Sequence, residues 1–383
     1  MASFISYFKK APAFFLVIPI VCCIESYLYT IPDLYYHHAG GAFLTTYKRK
    51  VAEDPKRNYD ILMYGDSRSL SILGHAKSEQ QKYSLYNFSL PAAGLRYFKF
   101  FFQKYQKHHK NPKAIIWAAD PEQYIVGKNK AFDTDRKLWE QYKHRLLNLF
   151  SLQESWQQYS GRELLFITKE YIPRYMLSYK YRKEFKSFVN GFKAKNFRTL
   201  FNDLPPLDPK ANFRDYKYLV DKMPNRLRNL RIEQIMQRNY GQINLGDYFK
   251  ANLLFAKLTS GARKKAWEDL KKKMDGTDEY DTKTLQEFIQ YCKQEKITLI
   301  LLNLPRAAGF NDTKYFQAVV PALRNLAEKH EHVRYVQFPE MDYPLQLFGE
   351  AIHFSPRGSD RLNQEFQESV YPEIIRFLGK EEL

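Results

Sequence analysis

Two short strings, far apart in the chain, hold residue types that could act on one substrate together. The first is Gly65-Asp66-Ser67, entered from the apolar run Ile61-Leu62-Met63-Tyr64. The second is Glu350-Ala351-Ile352-His353 near the C-terminus, where a carboxylate and an imidazole stand three positions apart. A serine hydroxyl is a weak nucleophile at neutral pH unless a base removes its proton as it attacks. An imidazole, with an ordinary pKa of about 6.5, can take that proton and return it. A carboxylate that receives the other ring N–H holds the tautomer this requires. Ser67, His353 and Glu350 therefore offer a nucleophile, a base and an orienting acid.

Taken singly, each string has a plainer reading. Gly-Asp-Ser is a common turn, because these residues favour left-handed backbone and side-chain-to-backbone hydrogen bonds. Glu350 and His353 also suit a surface acid and a packed or helix-capping histidine. Position is what favours chemistry. A strand that ends in Gly-Asp-Ser and passes into a helix would expose the hydroxyl and aim helix N-terminal N–H groups at a developing oxyanion.

The elements that must position these groups follow from apolar runs. Ile61 to Tyr64, Leu85 to Phe88 and Ala114 to Ala119 are near-continuous apolar stretches, as expected of parallel strands covered on both faces. Between the last two, Leu95, Phe98, Phe101, Phe102 and Tyr105 share one helical face opposite Arg96, Lys99 and Lys104. The pattern predicts a right-handed βαβ crossover. It breaks at 126 and returns with Asp281 as an expected N-cap, a helix carrying Leu285, Phe288, Ile289 and Cys292, and a strand from Thr298 to Leu302. A helix over Phe316 to Leu326, a strand over Val333 to Val336 and a closing helix from near Gly358 complete it.

The domain reading is accordingly an α/β domain in two parts, 57–125 and 285–383, split by a mainly helical insertion, 126–284. A connector, 33–56, joins it to an N-terminal segment, 1–32. Ser67 and His353 then follow different strands of one sheet, on the side where open α/β sheets bind ligands.

Composition excludes some classes. Hydrophobic residues make up 44% and aromatic residues 16% of the chain, so it is not a disordered protein. Its three cysteines, Cys22, Cys23 and Cys292, cannot build a disulfide framework or a metal set, and no metal or cofactor is expected. The formal charge of +18 suits an acidic partner. Because Lys and Arg are scattered and no nucleic-acid-reading motif accompanies them, an anionic surface or glycan fits better than nucleic acid. At the N-terminus, Lys9 and Lys10 precede an uncharged run from Ala11 to Ile24, followed by Tyr27, Tyr29, Tyr35 and Tyr36. Basic flank, apolar run and aromatic belt predict an anchor or signal segment over 1–32, best matched by an uncleaved single-pass anchor in the cytoplasmic (inner) membrane with the rest of the chain on its external, periplasmic side; a cleaved signal peptide and a buried soluble helix are the alternatives.

The order of Gly65-Asp66-Ser67, then Asn87-Phe88-Ser89-Leu90-Pro91-Ala92-Ala93-Gly94 after a second strand, then an acid-x-x-His near the C-terminus, resembles the SGNH (GDSL-type) hydrolase superfamily. More narrowly it resembles the membrane-anchored branch related to alginate O-acetylation and teichoic acid D-alanylation proteins. That resemblance implies a flavodoxin-like three-layer α/β sandwich with a central parallel sheet. It implies Ser67 as nucleophile, His353 as base and Glu350 as acid, an oxyanion hole from the N–H groups of Ser67 and Gly94, and supporting roles for Asp66 and Asn87. Ala92 is the alternative to Gly94. The family's third block carries an Asn donor where this chain reads Ala118-Ala119-Asp120-Pro121, so that donor is absent; Asn87 and Asn303 are the candidate replacements. The implied activity is a serine esterase or O-acyltransferase acting on an acylated envelope glycan or lipid ester, with a membrane-bound acyl-donor protein as a possible partner. The alternative is an inactive scaffold or glycan-binding protein of the envelope.

Overall fold

Five parallel strands form the centre of the protein. The computed structural model describes residues 17–28, 40–91, 93–119, 121–125, 225–243, 260–277, 279–349 and 352–381, with short pieces between 153 and 180. The strands are β1 (Ile61–Gly65), β2 (Leu85–Asn87), β3 (Ala114–Ala118), β4 (Thr298–Asn303) and β6 (Val333–Gln337), in the order β2-β1-β3-β4-β6. Ile61 pairs with Leu85 on one side and Ala114 on the other, and Ile116 continues the register to Ile300. A short parallel pair, β5 (Arg306–Ala307) and β7 (Asp342–Tyr343), lies outside this sheet. The chain is thus an α/β protein with a central parallel sheet. Every residue of β1 through β4 is buried, which is why these strands read as unbroken apolar runs.

Among the described residues from 40 onward, the helices of more than two turns, in chain order, are α1 (Gly40–Glu53), α2 (Leu95–Gln106), α3 (Asn225–Arg238), α4 (Ser260–Asp275), α5 (Lys283–Gln294), α6 (Lys314–Glu328), α7 (Pro356–Glu365) and α8 (Tyr371–Glu381). The apolar face of α2 lies on β1: the ring of Tyr64 sits 5.0 Å from Phe98 and 6.1 Å from Phe101. On α5, Leu285, Phe288, Ile289 and Cys292 are buried, and Tyr291 meets Phe102 of α2 edge to face. Successive strand residues point to opposite faces. On β6, Tyr335 lies under Arg324 of α6, whereas its neighbour Arg334 reaches Glu373 and Phe377 of α8, so α6 and α8 cover opposite faces there.

Two expectations need correction. No helix follows Ser67: the chain makes a single 3-10 turn, Ser69–Ser71, and is extended by Ile72. Ser69 donates its hydroxyl back to the Asp66 carbonyl, and Asn87 takes the carbonyls of Ser69 and Ile72, so the acceptors that would continue a helix are spent locally. The N-cap of α5 is Thr282 rather than Asp281, whose carboxylate instead accepts from the Lys283 N–H at 2.8 Å.

The chain divides into two compact units, one comprising Met1–Ala39, Phe150–Leu204 and Pro224–Asn229, the other Gly40–Leu149, Pro205–Met223 and Leu230–Leu383. All strands belong to the second. In the first, residues 17–28 are helical, with Val17, Ile18, Ile20, Ile24 and Tyr27 exposed. Glu25, the charge that interrupts the apolar run, accepts from the N–H groups of Leu177 (2.7 Å) and Ser178 (2.9 Å) at the start of the short helix Leu177–Lys180. Among the described residues no helix is long and apolar enough to cross a membrane. The remainder of the expected anchor, including Lys9 and Lys10, lies outside the described residues.

Candidate active site

Gly65 ends β1 and opens the turn that carries Ser67. The end of β1 lies so close to β3 that a Cβ there would stand 2.5 Å from the Ala118 carbonyl oxygen and 2.2 Å from Ser69 Oγ, so only glycine fits. The next residue, Asp66, is buried, and its Oδ1 accepts from the Arg68 N–H at 2.9 Å, a tight Asx turn around Ser67. The half-buried Ser67 hydroxyl then stands two residues beyond the carboxyl end of β1.

His353 arrives from the other end of the chain. Phe348 and Phe354 pair as an antiparallel bridge with their rings stacked at 5.1 Å, and the Gly349 N–H donates to the His353 carbonyl at 2.8 Å. Below this small loop, Ser355 caps α7 by accepting from the Gly358 N–H. A Cβ at Gly358 would collide with the Leu347 carbonyl, at 1.9 Å, so the helix start and the loop approach as closely as backbone permits. The outcome is a hydrogen bond of 2.6 Å between Ser67 Oγ and His353 Nε2, across 286 residues of sequence.

One side chain locks the two loops together. Asn363 of α7 accepts from the Leu73 N–H (2.7 Å) and donates to the Ser71 carbonyl (2.9 Å), tying the helix after His353 to the turn after Ser67. The turn's other side rests on residues 230–243: Ile243 N–H donates to Leu70 O and the Gln242 amide to Ser71 O.

Asn87 supports the turn from below, donating to Ser69 O and Ile72 O at 2.8 Å each while accepting from the Ser89 N–H. Its amide is fully engaged with backbone and leaves no N–H to spare; the Asn303 side-chain oxygen accepts from Arg306 at 2.7 Å. Beneath Asn87 lies a group the sequence did not advertise: Lys48 of α1, fully buried, donates to the carbonyls of Asn87 (2.7 Å) and Ser89 (2.8 Å). Burial holds its amine well below the ordinary lysine range.

Gly94 is the N-cap of α2. The adjoining Ala93 carbonyl accepts from Gln123 Nε2 at 3.3 Å, and the same amide reaches Asp66 Oδ2 at 3.4 Å. Gln123, in the 3-10 turn Pro121–Tyr124 after β3, thereby joins the Gly94 corner to the Ser67 turn. It too was missed in the sequence, although an amide three residues beyond Asp120 was the available signal. Burial pushes the Asp66 carboxyl above its ordinary range, while the charge and N–H of Arg68 and then the nearby His353 pull it down. Glu350, Ala92 and Asp120 lie outside the described residues. Among the described residues no three His, Cys, Asp or Glu side chains gather as metal ligands.

The placement has a topological logic. From β1 the chain turns to β2 on one side, and from β3 it turns to β4 on the other. Open α/β sheets bind ligands at such a reversal, outside the carboxyl ends of the strands. Ser67 follows β1 and Gln123 follows β3. The class so defined is an α/β protein of parallel-sheet type with a hydrogen-bonded serine and histidine at its switch point. Within that class the chain belongs to the family described as "Protein of unknown function (DUF1574)", whose model matches residues 25–357. No curated protein matches the chain.

Proposed function

We propose that this protein is a serine-dependent acyl-transfer enzyme of SGNH-hydrolase type, an esterase or O-acyltransferase. The observation that carries the reading is the 2.6 Å contact between Ser67 Oγ and His353 Nε2 at the carboxyl edge of the sheet. The sheet order β2-β1-β3-β4-β6, with helices on both faces at β6, agrees with the flavodoxin-like three-layer arrangement that such enzymes share. In the reaction, Ser67 Oγ attacks an ester carbonyl as His353 Nε2 takes its proton. The imidazolium then protonates the leaving alkoxide, and water or a carbohydrate hydroxyl resolves the acyl-enzyme.

Glu350, three residues before His353, is the orienting acid in this scheme. The N–H groups of Ser67 and Gly94 receive the oxyanion, and Gln123 takes the part of the absent third-block Asn, since its two bonds, at 3.3 and 3.4 Å, are long enough to be exchanged. The apolar N-terminal segment and the basic composition support an envelope location on the external side of the inner membrane, with an acylated glycan or lipid as substrate.

A fluorophosphonate probe applied to the full chain tests the reading. Labelling is expected at Ser67, to vanish in Ser67→Ala, and to slow at least ~100-fold in His353→Ala, in line with the usual contribution of a general base. A folded wild-type protein that resists the probe would overturn the enzyme reading in favour of a scaffold.

A further inference from the structure

A second opening lies along the edge of the sheet that carries Ser67. Asn303 and Gln337 are the last residues of β4 and β6, and with the first half of α6 they border a groove of about 340 Å³. That is within the roughly 300–1,000 Å³ of small-molecule sites. Because the sheet is parallel, these strand ends share the edge from which Ser67 follows β1. β4 stands two strands from β1 in the sheet order, about 10 Å at the usual strand spacing.

The depth of the groove is apolar, with Phe316 buried and Val320 and Met341 half-buried, while Gln317, Gln337 and Asp342 on its rim are exposed. Among the described residues no Lys or Arg lines it, although the chain carries +18. The rim keeps hydrogen-bonding capacity to spare. Gln337 accepts from Arg324 at 3.2 Å through its oxygen, which leaves the amide N–H groups to donate. Asp342 receives Asn311 on Oδ1 at 3.1 Å and keeps Oδ2 to accept. The backbone adds an acceptor. Pro321, inside α6, has no N–H to give the Gln317 carbonyl four residues earlier, and both residues line the groove.

Amide N–H groups, a carboxylate and an unspent carbonyl around an apolar floor match a ligand with hydroxyls on its edge and C–H groups on its face, since each hydroxyl both donates and accepts. An anion would instead meet Asp342 with no lining cation to offset it. We propose that this groove holds one neutral sugar unit of a glycan whose next units follow the sheet edge to Ser67. The link to Ser67 rests on the acyl-transfer reading, but sugar binding in the groove is measured without it.

The test is titration of the full chain, followed by saturation-transfer NMR, with neutral tetrasaccharides of glucose, mannose and N-acetylglucosamine and with a uronate tetrasaccharide. The titrations are run in 1 M salt, which screens the long-range field of the chain, and alongside them the rate of fluorophosphonate labelling is followed. At least one neutral tetrasaccharide is expected to bind at least ~10-fold more tightly than the uronate and to slow labelling. Its monosaccharide, too short to reach Ser67, should bind without slowing it. Pro321→Ala returns an N–H to the Gln317 carbonyl, so it should weaken binding at least ~3-fold while leaving the protein at least as resistant to heat as wild type. Asp342→Lys, on the exposed rim, should turn the preference toward the uronate. Binding of none of the neutral sugars, a wild-type preference for the uronate, or binding that neither variant alters overturns the proposal. Neutral-sugar binding with labelling at the free rate overturns the shared chain to Ser67. Neutral-sugar binding by a protein that never labels supports the groove and overturns the acyl-transfer reading alone.

Discussion

Lys48 shows how much of this site depends on single buried groups. Its amine has two acceptors, the carbonyls of Asn87 and Ser89, and a neutral amine has two N–H donors to give them. Burial lowers its pKa well below the 10.5 of an ordinary lysine, so between the folded value and 10.5 the unfolded chain binds the extra proton. Stability must then rise with pH across that window, by up to about 1.4 kcal/mol per pH unit for this one group. Urea unfolding of wild type and Lys48→Met at stepped pH from neutrality to about 10 should show the wild type gaining on the variant. A flat or falling difference would mean that the amine is buried as an ammonium. At this scale the sequence was legible for Ser67 and His353, whose types announce their chemistry. It was silent on Lys48, one of 60 basic residues with no local feature to mark it, and on Gln123, whose part is set by two contacts from elsewhere in the fold.

Among the elements, legibility followed burial. Strands sealed on both faces, β1 to β4, appear as apolar runs and α2, α5 and α6 as helical stripes, while the partly exposed β6 was marked by Val333 and Val336, so all five sheet strands were readable to within about two residues. The turn after Ser67 was not, because side chains from β2 and α7 decide its path: Asn87 and Asn363 take the carbonyls and N–H groups that local propensity would give to a helix. This makes Asn363 the joint between the Ser67 turn and the His353 loop. Asn363→Ala strips three hydrogen bonds, including those to Leu73 and Ser71, and should lower stability by about 1–3 kcal/mol. Because the serine and histidine loops would then move independently, labelling of the folded variant should slow roughly tenfold. Labelling at the wild-type rate, with unfolding shifted as expected, would show that α7 and the Ser67 turn hold their register without this joint.

The molecule as a whole supplies what neither residues nor elements can. Ser67 and His353 meet only after β1, β3, β4 and β6 have paired in order, since their loops leave different parts of the fold. Its charge also acts as a whole: 60 Lys and Arg against 42 Asp and Glu leave +18, a field that reaches beyond any single pocket. Such a field concentrates a polyanion near the surface but does little for a neutral small molecule. Raising salt from 0.1 to 1 M shortens the screening length from about 10 to about 3 Å, which removes the long-range attraction while leaving buried contacts nearly intact. Protection of Ser67 from a neutral fluorophosphonate by a polyuronate should therefore weaken at least ~10-fold over that range, whereas labelling in the absence of polymer should change less than about twofold. If polymer protection were insensitive to salt, the basic surface would have no part in gathering substrate, and recognition would rest on short-range contacts around Ser67.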